Sequence, residues 1–381
     1  VGSKPKLYQN IIEHFTALTD EGKLKPGDRI PTEQEIAEQF GVSRITVIRA
    51  LRELEYRGML VRIKRKGSFI RDDYASGGAA VQGNSGQSRL RIIAVVLPFG
   101  EEYGLDILQG VEQFCAGQGY YVTYHNTGYS LEREREVLLR LLEDNISGAI
   151  VYPCASDRNI ELFGSLMIRR FPFVLIDRTL EGLDIPCVVS DNYQGGQLIT
   201  QHLLQLGHRR IAFVCTRLKE AVSIMDRYRG YCKSLIDAGI MPRSEWLLED
   251  EEGMAAECDD SPSWQLKLAK ERLARALNGK EKATAVIAIN DNSAVYLLKA
   301  AQEAGVKVPE ELSIVGFDNL SFVAMLDVPL TTIEQKFTLQ GREAAAMVLR
   351  LCGEENPFRE ADKITLATEL IVRQSSGRPH E

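Results

Sequence analysis

The sequence predicts an α/β chain in two unequal parts: a small N-terminal α+β domain, then a large domain built on two doubly wound parallel sheets. Three observations carry this expectation. The first 71 residues place amphipathic helices and a short hairpin within one basic run. From about Ile92 onward, short β-rich runs alternate with helical segments, the pattern of a parallel sheet covered on both faces. That alternation occurs twice in succession, and 381 residues with 44% hydrophobic content exceed a single ordinary domain. The expected divisions are residues 1–71, a flexible linker 72–90, and a two-lobed domain 91–381.

Leu7, Ile11, Phe15 and Leu18 recur at intervals of three or four and give a first helix, Leu7 to Asp20, one apolar face. Thr32 and Glu35 form a capping box that starts a second helix, ended at Phe40 by Gly41. After a turn of Gly41 and Val42, Ser43 caps a third helix reaching Tyr56. Two helices joined by so short a turn make a helix-turn-helix. At about 100° per residue, Val47, Ala50, Leu51 and Leu54 fall on the core side of the third helix. Arg44, Ile45, Ile48, Arg49 and Arg52 fall on the opposite arc, where a recognition helix meets base edges and phosphates. An arginine there can bond guanine through two N–H groups, and an isoleucine can touch a thymine methyl. The hairpin Met59 to Arg71, with Lys64 to Gly67 at its tip, follows as a basic wing.

A charged amphipathic helix alone is usually a solvated surface. Here the order of parts argues otherwise. PGDRIPTEQEIAEQFGVSRITVIRAL and KGSFI, within residues 7 to 71, resemble the winged-helix domain of the GntR family of bacterial regulators. That resemblance implies DNA contacts by Arg44 and Thr46, with Gln34 and Gly67 as outlying contacts. With the basic and cap residues, the expected DNA-binding set is Gln34, Ser43, Arg44, Ile45, Thr46, Ile48, Arg49, Arg52, Lys64, Lys66 and Gly67. Ile48 stands where many members carry a basic residue, and Arg65 where they often have glycine, so the operator sequence stays open.

Charge divides the same way. Residues 1–71 hold 14 Lys and Arg against 9 Asp and Glu, about +5, whereas the remainder holds 32 against 44, about −12. Only the N-terminal part favours a polyanion. The seven cysteines are scattered and never spaced CxxC, so they read as reduced core thiols, with neither a metal site nor another cofactor implied. With no apolar leader and no run of 18 apolar residues, the expectation is a cytoplasmic chain without a membrane partner. Asp72 to Arg89, rich in Gly, Ser and small residues, is the linker.

In the large domain Ile92–Leu97, Tyr120–Tyr124, Gly148–Tyr152 and Phe173–Asp177 read as strands of a first lobe. Ile211–Cys215, Ala285–Ile289 and Leu312–Phe317 belong to a second. Helices are expected at Asp106–Gln118, Glu132–Asp144, Gln194–Leu206, Asp226–Ala238, Gln265–Leu277 and Ser293–Ala304. In such folds ligands sit at the carboxyl ends of strands, here a cleft between lobes. Asp177 and Arg178, Asn290 and Asp291, and Asp318 stand at those ends. Carboxylates, an amide and a guanidinium such as Arg227 together can grip several hydroxyl groups. Each also has a structural reading as a helix cap or a lobe contact, Asn290 above all.

VVSDNYQGGQLITQHLLQLGHRRIAFV, DRYRGY, AINDNSAVYLLKAAQEAGVKVPEELSIVGFDN, PLTTIEQ and TELIVRQSSG resemble the sensing domain of the LacI/GalR regulators, itself periplasmic-binding-protein-like. The resemblance implies effector contacts by Asp177, Arg227, Asn290 and Asp318, with Gln335 as a further one; Arg178 is added from its place at the strand end. In the loop Pro98 to Tyr103, Phe99 or Tyr103 could stack on a sugar face. Where members often place an aromatic contact near Trp246, this chain has the acidic run Glu249 to Glu252, and Trp264 is either its replacement or a helix-start core residue.

Together the halves look like the arabinose-repressor type. The implied protein is a homodimeric repressor of a pseudo-palindromic operator, released by a monosaccharide or derivative. A nucleoside or other corepressor would use the same parts. The helix Leu339 to Cys352, with Ala344, Ala345, Met347 and Val348, reads either as dimer face or as lobe core. A carbohydrate-active enzyme or transport receptor would leave the first 71 residues unexplained, and no GxSxG elbow is present. No catalytic residue is therefore expected.

Overall fold

The computed structural model describes residues 7–56, 59–63, 67–71, 90–100, 102–144, 146–216, 218, 221–249, 261–278, 281–359 and 361–380. The chain divides into two compact units, Val1–Gln87 and Ser88–Glu381. Residues 72–89 of the predicted linker and the wing tip, Lys64 to Lys66, lie outside the described residues.

The first unit holds α1 (Leu7–Asp20), α2 (Glu33–Phe40), α3 (Arg44–Tyr56) and a hairpin of β1 (Leu60–Ile63) with β2 (Gly67–Ile70). Local chemistry sets both ends of α2 and the start of α3. The Thr32 hydroxyl accepts the Glu35 N–H, and the Glu35 carboxylate accepts the Thr32 N–H at 2.7 Å. Gly41 turns left-handed at φ 62°, and the Ser43 hydroxyl accepts the Thr46 N–H. Ile11, Phe15, Ile36, Val47, Ala50, Leu51 and Leu54 close one core with Leu60 and Ile70 of the hairpin. Each large apolar side chain there contributes about 1.5–3 kcal/mol against entropy.

The second unit carries two parallel sheets. One takes β3 (Ile92–Leu97), β4 (Tyr121–Asn126), β5 (Gly148–Val151), β6 (Phe173–Ile176), β7 (Cys187–Ser190) and β13 (Lys363–Leu366) in the order β13-β7-β6-β5-β3-β4. The other takes β8 (Ile211–Val214), β9 (Leu247–Leu248), β10 (Ala285–Ala288) and β11 (Ser313–Val315) in the order β11-β10-β8-β9. A ribbon of β12 (Thr332–Glu334) with β14 (Glu369–Ile371) runs separately. The covering helices are α4 (Glu102–Gly117), α5 (Leu131–Glu143), α6 (Ile160–Ile168), α7 (Asn192–Gln205), α8 (Val222–Asp237), α9 (Pro262–Leu277), α10 (Asp291–Glu303) and α11 (Phe337–Leu351).

The structure adds to the expected elements and moves some. Strands β7, β9, β12, β13 and β14 were not marked by the alternation, and neither was α6. The reasons are physical. Asn159, a residue type common at helix starts, leads α6 in a left-handed conformation without a side-chain cap bond, and its amide bonds the Leu131 carbonyl and Glu134 instead. Strand β13 alternates in exposure rather than running apolar, and it joins its sheet from the far end of the chain. Helix α4 starts at Glu102 instead of Asp106, because the Phe99 ring packs on Gly104 and secures one more turn.

Ala344, Ala345, Met347 and Val348 of α11 are buried in the lobe core, where the helix lies against α4 and the strands β5, β6 and β7, as the lobe-core reading expects. A Cβ on Gly341 would lie 2.1 Å from the Ile107 carbonyl oxygen. The two backbones touch.

Helices α7 and α8 meet in the same way. A Cβ on Gly230 would lie 2.2 Å from the Tyr193 carbonyl oxygen, and one on Gly196 equally close to that of Arg227. Gly230→Ala is therefore expected to destabilise by about 1–3 kcal/mol. A thermal scan should show a midpoint several degrees lower, and an unchanged midpoint would mean that the helices can part freely.

The C-terminal segment is fixed to the second sheet by buried His208. Its Nε2 donates to the Gly377 carbonyl at 2.8 Å, and Nδ1 meets the Thr284 hydroxyl at 2.9 Å. His202 Nε2 meets the Ser376 hydroxyl at 2.9 Å. Burial pushes both imidazoles below the ordinary 6.5. A depressed folded-state pKa contributes stability above the unfolded value that is lost as pH falls through the folded one. The thermal midpoint should therefore drop as pH is lowered from 7 to 5, and His208→Gln should flatten that slope. An equally steep slope in the variant would place the sensitive group elsewhere.

Candidate functional site

In the second unit, polar residues at the carboxyl ends of strands from both sheets converge. Asp177, directly after β6, is held at φ 63°, with its N–H on the Val188 carbonyl at 2.9 Å. Arg178 beside it donates to the Cys154 carbonyl at 2.7 Å and lies over the Tyr152 ring at 5.2 Å. The charge of Asp177 is felt at Tyr103 and Tyr152 on its own lobe and at Asp318 on the other. The three belong to one electrostatic neighbourhood.

From the second lobe comes Arg227 on α8. Its Nε donates to the Asn192 side chain at 2.8 Å and its Nη1 to the Ile289 carbonyl at 2.5 Å. Its guanidinium lies 3.7 Å from the centre of the Phe317 ring, and Nη2 stands 4.0 Å from the Asp318 carboxylate. Gln335 Nε2 donates to the same carboxylate at 2.6 Å. Burial pushes the Asp318 carboxyl well above its ordinary range, against the pull of Arg227. The Gln335 side-chain oxygen is buried without a partner among the described residues. A buried acceptor left open is costly, and a ligand hydroxyl would satisfy it.

An aromatic group lines the first lobe. Phe99 lies 3.9 Å from Tyr103 and 5.0 Å from Tyr152, and Tyr103 stands 5.2 Å from Phe337. Burial pushes the Tyr103 and Tyr152 hydroxyls far above their usual range, so both stay protonated donors. Tyr103 sits in the first turn of α4, not in the preceding loop as expected. Phe99 is buried with its ring against those of Tyr103, Tyr129 and Tyr152. Asn290 caps α10, its side-chain oxygen accepting the Ser293 N–H at 2.8 Å. Trp264 lies in the first turn of α9, with Lys267 over its ring.

Sequence reasoning missed Asn192, Tyr152 and Glu102. Asn192 follows β7, a strand that itself went unmarked. Glu102 accepts the Ser321 backbone N–H at 2.7 Å, a direct contact between the lobes that no local pattern announces.

In the first unit, Arg44 is exposed at the start of α3, its Nε donating to Glu33 at 3.0 Å. The Ser43 and Thr46 hydroxyls lie 2.9 Å apart, and Gln34 donates weakly to Glu38. Ile48 is half-buried, and Arg49 lies over the Tyr8 ring of α1 at 4.4 Å. Gly67 opens β2 at φ 113° with the Arg29 side chain against it. The side chains of Ile45 and Arg52, and the whole of Lys64 and Lys66, lie outside the described residues.

The comparisons fit this two-part geometry. Residues 7–70 match the model of bacterial regulatory proteins of the gntR family, and residues 200–376 that of the periplasmic binding protein-like domain. The arabinose metabolism transcriptional repressor of Geobacillus stearothermophilus is 33% identical over 374 residues, covering 97% of each chain. The chain belongs to the arabinose-repressor family. It is a ligand-responsive transcriptional repressor with a GntR-type reader and a LacI-like sensor. The repressor is also 29% identical to the HTH-type transcriptional repressor PurR of Aliivibrio fischeri, over 71% of this chain and 76% of that one. Its sensor superposes on the transcription regulator CcpA of Lactococcus lactis with a TM-score of 0.66 and 26% identity, over 76% of this chain and all of that one. Such relatives are transcription regulators, not enzymes, and among the described residues no helix is long and apolar enough to cross a membrane.

Proposed function

We propose that this repressor acts in the cytoplasm as a homodimer on a pseudo-palindromic operator and is released by a neutral monosaccharide in the interlobe cleft, with arabinose the first candidate. The observation that carries the reading is the convergence of Asp177, Arg227, Asp318 and Gln335 beside Tyr103. Carboxylates accept from sugar hydroxyls, the guanidinium donates, and an aromatic ring covers the apolar face of a pyranose or furanose. Arg178 and Arg227 already donate to protein acceptors, which disfavours an anionic ligand. Two relatives are arabinose metabolism transcriptional repressors, which supports the same sugar. Arg44, Ser43, Thr46, Gln34 and Gly67, with the neighbouring basic residues, form the operator-facing set, and two copies would read two half-sites. Effector release requires only that the sugar bind one lobe arrangement more tightly than the other. The test is a thermal-shift screen of pentoses, hexoses and nucleosides, followed by operator binding with each hit. A saturating ligand at a hundredfold its Kd stabilises by about 2.7 kcal/mol. Stabilisation by arabinose with loss of operator binding supports the reading; a response to nucleosides alone overturns the sugar assignment.

A further inference from the structure

The turn after β11 is held in a conformation that side-chain-bearing residues avoid. Asp318 lies at φ 122° and Asn319 at φ 56°. Two such residues in succession persist only where the surroundings over-determine them. Arg373 and Glu334 bond the Asn319 side chain, at 2.6 and 3.1 Å, and the Ile333 carbonyl accepts the Asp318 N–H; a buried carboxylate holds the other side of the turn. Asp291 is fully buried at the start of α10, and its carboxylate accepts the Leu320 N–H at 2.9 Å and the Thr332 hydroxyl at 2.6 Å. The neighbouring Asn319 N–H also favours its charged form. Resting on the sugar-cleft reading above, we infer that Asp291 is a positioning residue, whose carboxylate holds the Asp318–Leu320 turn so that the Asp318 side chain faces the effector.

The plain alternative is an acidic residue placed to favour a helix N-terminus. The bonds go elsewhere. Asn290 already caps α10, and the Asp291 oxygens reach across to the turn and to β12. Room for this carboxylate exists only because residue 316 is glycine, where a Cβ would lie 2.3 Å from Asp291 Oδ1. Burial raises its carboxyl to about 6 even though the converging donors, Thr332 and the Leu320 N–H first, favour the charged form. Thr332 belongs to the ribbon strand β12 and Asp291 to the second lobe, so the same group ties the Asp318 turn to both.

Amide hydrogen exchange on the full chain, read residue by residue by NMR for wild type, D291N and D291A, tests this without an effector. Gly316 and Asp318 serve as internal references, because their N–H groups bond to the Thr331 and Ile333 carbonyls, not to Asp291. The Asn319 and Leu320 amides should exchange at least about tenfold faster in the variants than the references account for. A uniform rise across all four, or none, overturns the inference; D291N decides the matter if D291A does not fold. Calorimetric titration with arabinose then asks whether D291N loses at least about tenfold in affinity, and wild-type affinity in that variant would overturn the inference as well. A wild-type chain that binds no arabinose removes arabinose as the effector, while the exchange result still decides the role of Asp291.

Discussion

Arg227→Ala is expected to weaken effector binding by at least about a hundredfold and to lower the thermal midpoint by on the order of 10 °C. The side chain is buried, bonded to Asn192 and the Ile289 carbonyl, stacked on Phe317 and the nearest cation to Asp318 among the described residues. Removing one partner of a buried charge pair costs about 3–5 kcal/mol, because the other is left uncompensated. For a sensor whose net stability is about 5–15 kcal/mol, that is a large share. Each kilocalorie moves the midpoint of a domain this size by roughly 2–4 °C. Arg227→Lys keeps the charge but not the fork, so its loss should be intermediate. Thermal scans and calorimetry with arabinose on both variants check this. An alanine variant with wild-type stability and affinity would remove Arg227 from the site.

The second large effect belongs to the other unit. Arg44→Ala should lower operator affinity by at least about thirtyfold while leaving arabinose affinity unchanged. A fork on a base edge is worth about 1–3 kcal/mol per half-site, and a dimer loses it twice. Non-specific DNA binding should fall less, with a shallower salt dependence. Fluorescence anisotropy at several salt concentrations, with operator and scrambled DNA, separates the two. Equal losses on both DNAs would make Arg44 a phosphate contact only, and no loss on either would refute its place in the interface.

The reader unit was legible almost to the residue. Its helix ends are written in neighbouring side chains: Thr32 with Glu35, Gly41, and Ser43 with Thr46. Its core face follows from one period, and Val47, Ala50, Leu51 and Leu54 are all buried as the wheel requires. In the sensor, the apolar runs of the central strands and most helices were equally readable, and so were the candidate positions at strand ends. The geometry among those positions was not. Asp177 and Asp318 lie far apart in the chain and feel one another only because two sheets end at the same place.

From the sequence by itself come the two-part architecture, the recognition helix, the strand ends that carry polar groups, and the family resemblance that names Arg227. These depend on periodicity and on bonds between near neighbours, which the order of residues encodes directly. Tertiary structure alone decided that Ala344, Ala345, Met347 and Val348 of α11 are core, that the Phe99 ring packs on Tyr103, and that Lys363–Leu366 completes the first sheet. It also decided that Asp291 leaves helix capping to Asn290 and holds the turn at Asp318. Each of these rests on a contact between residues distant in the chain, where packing and the pairing of buried polar groups, not local preference, select the partner.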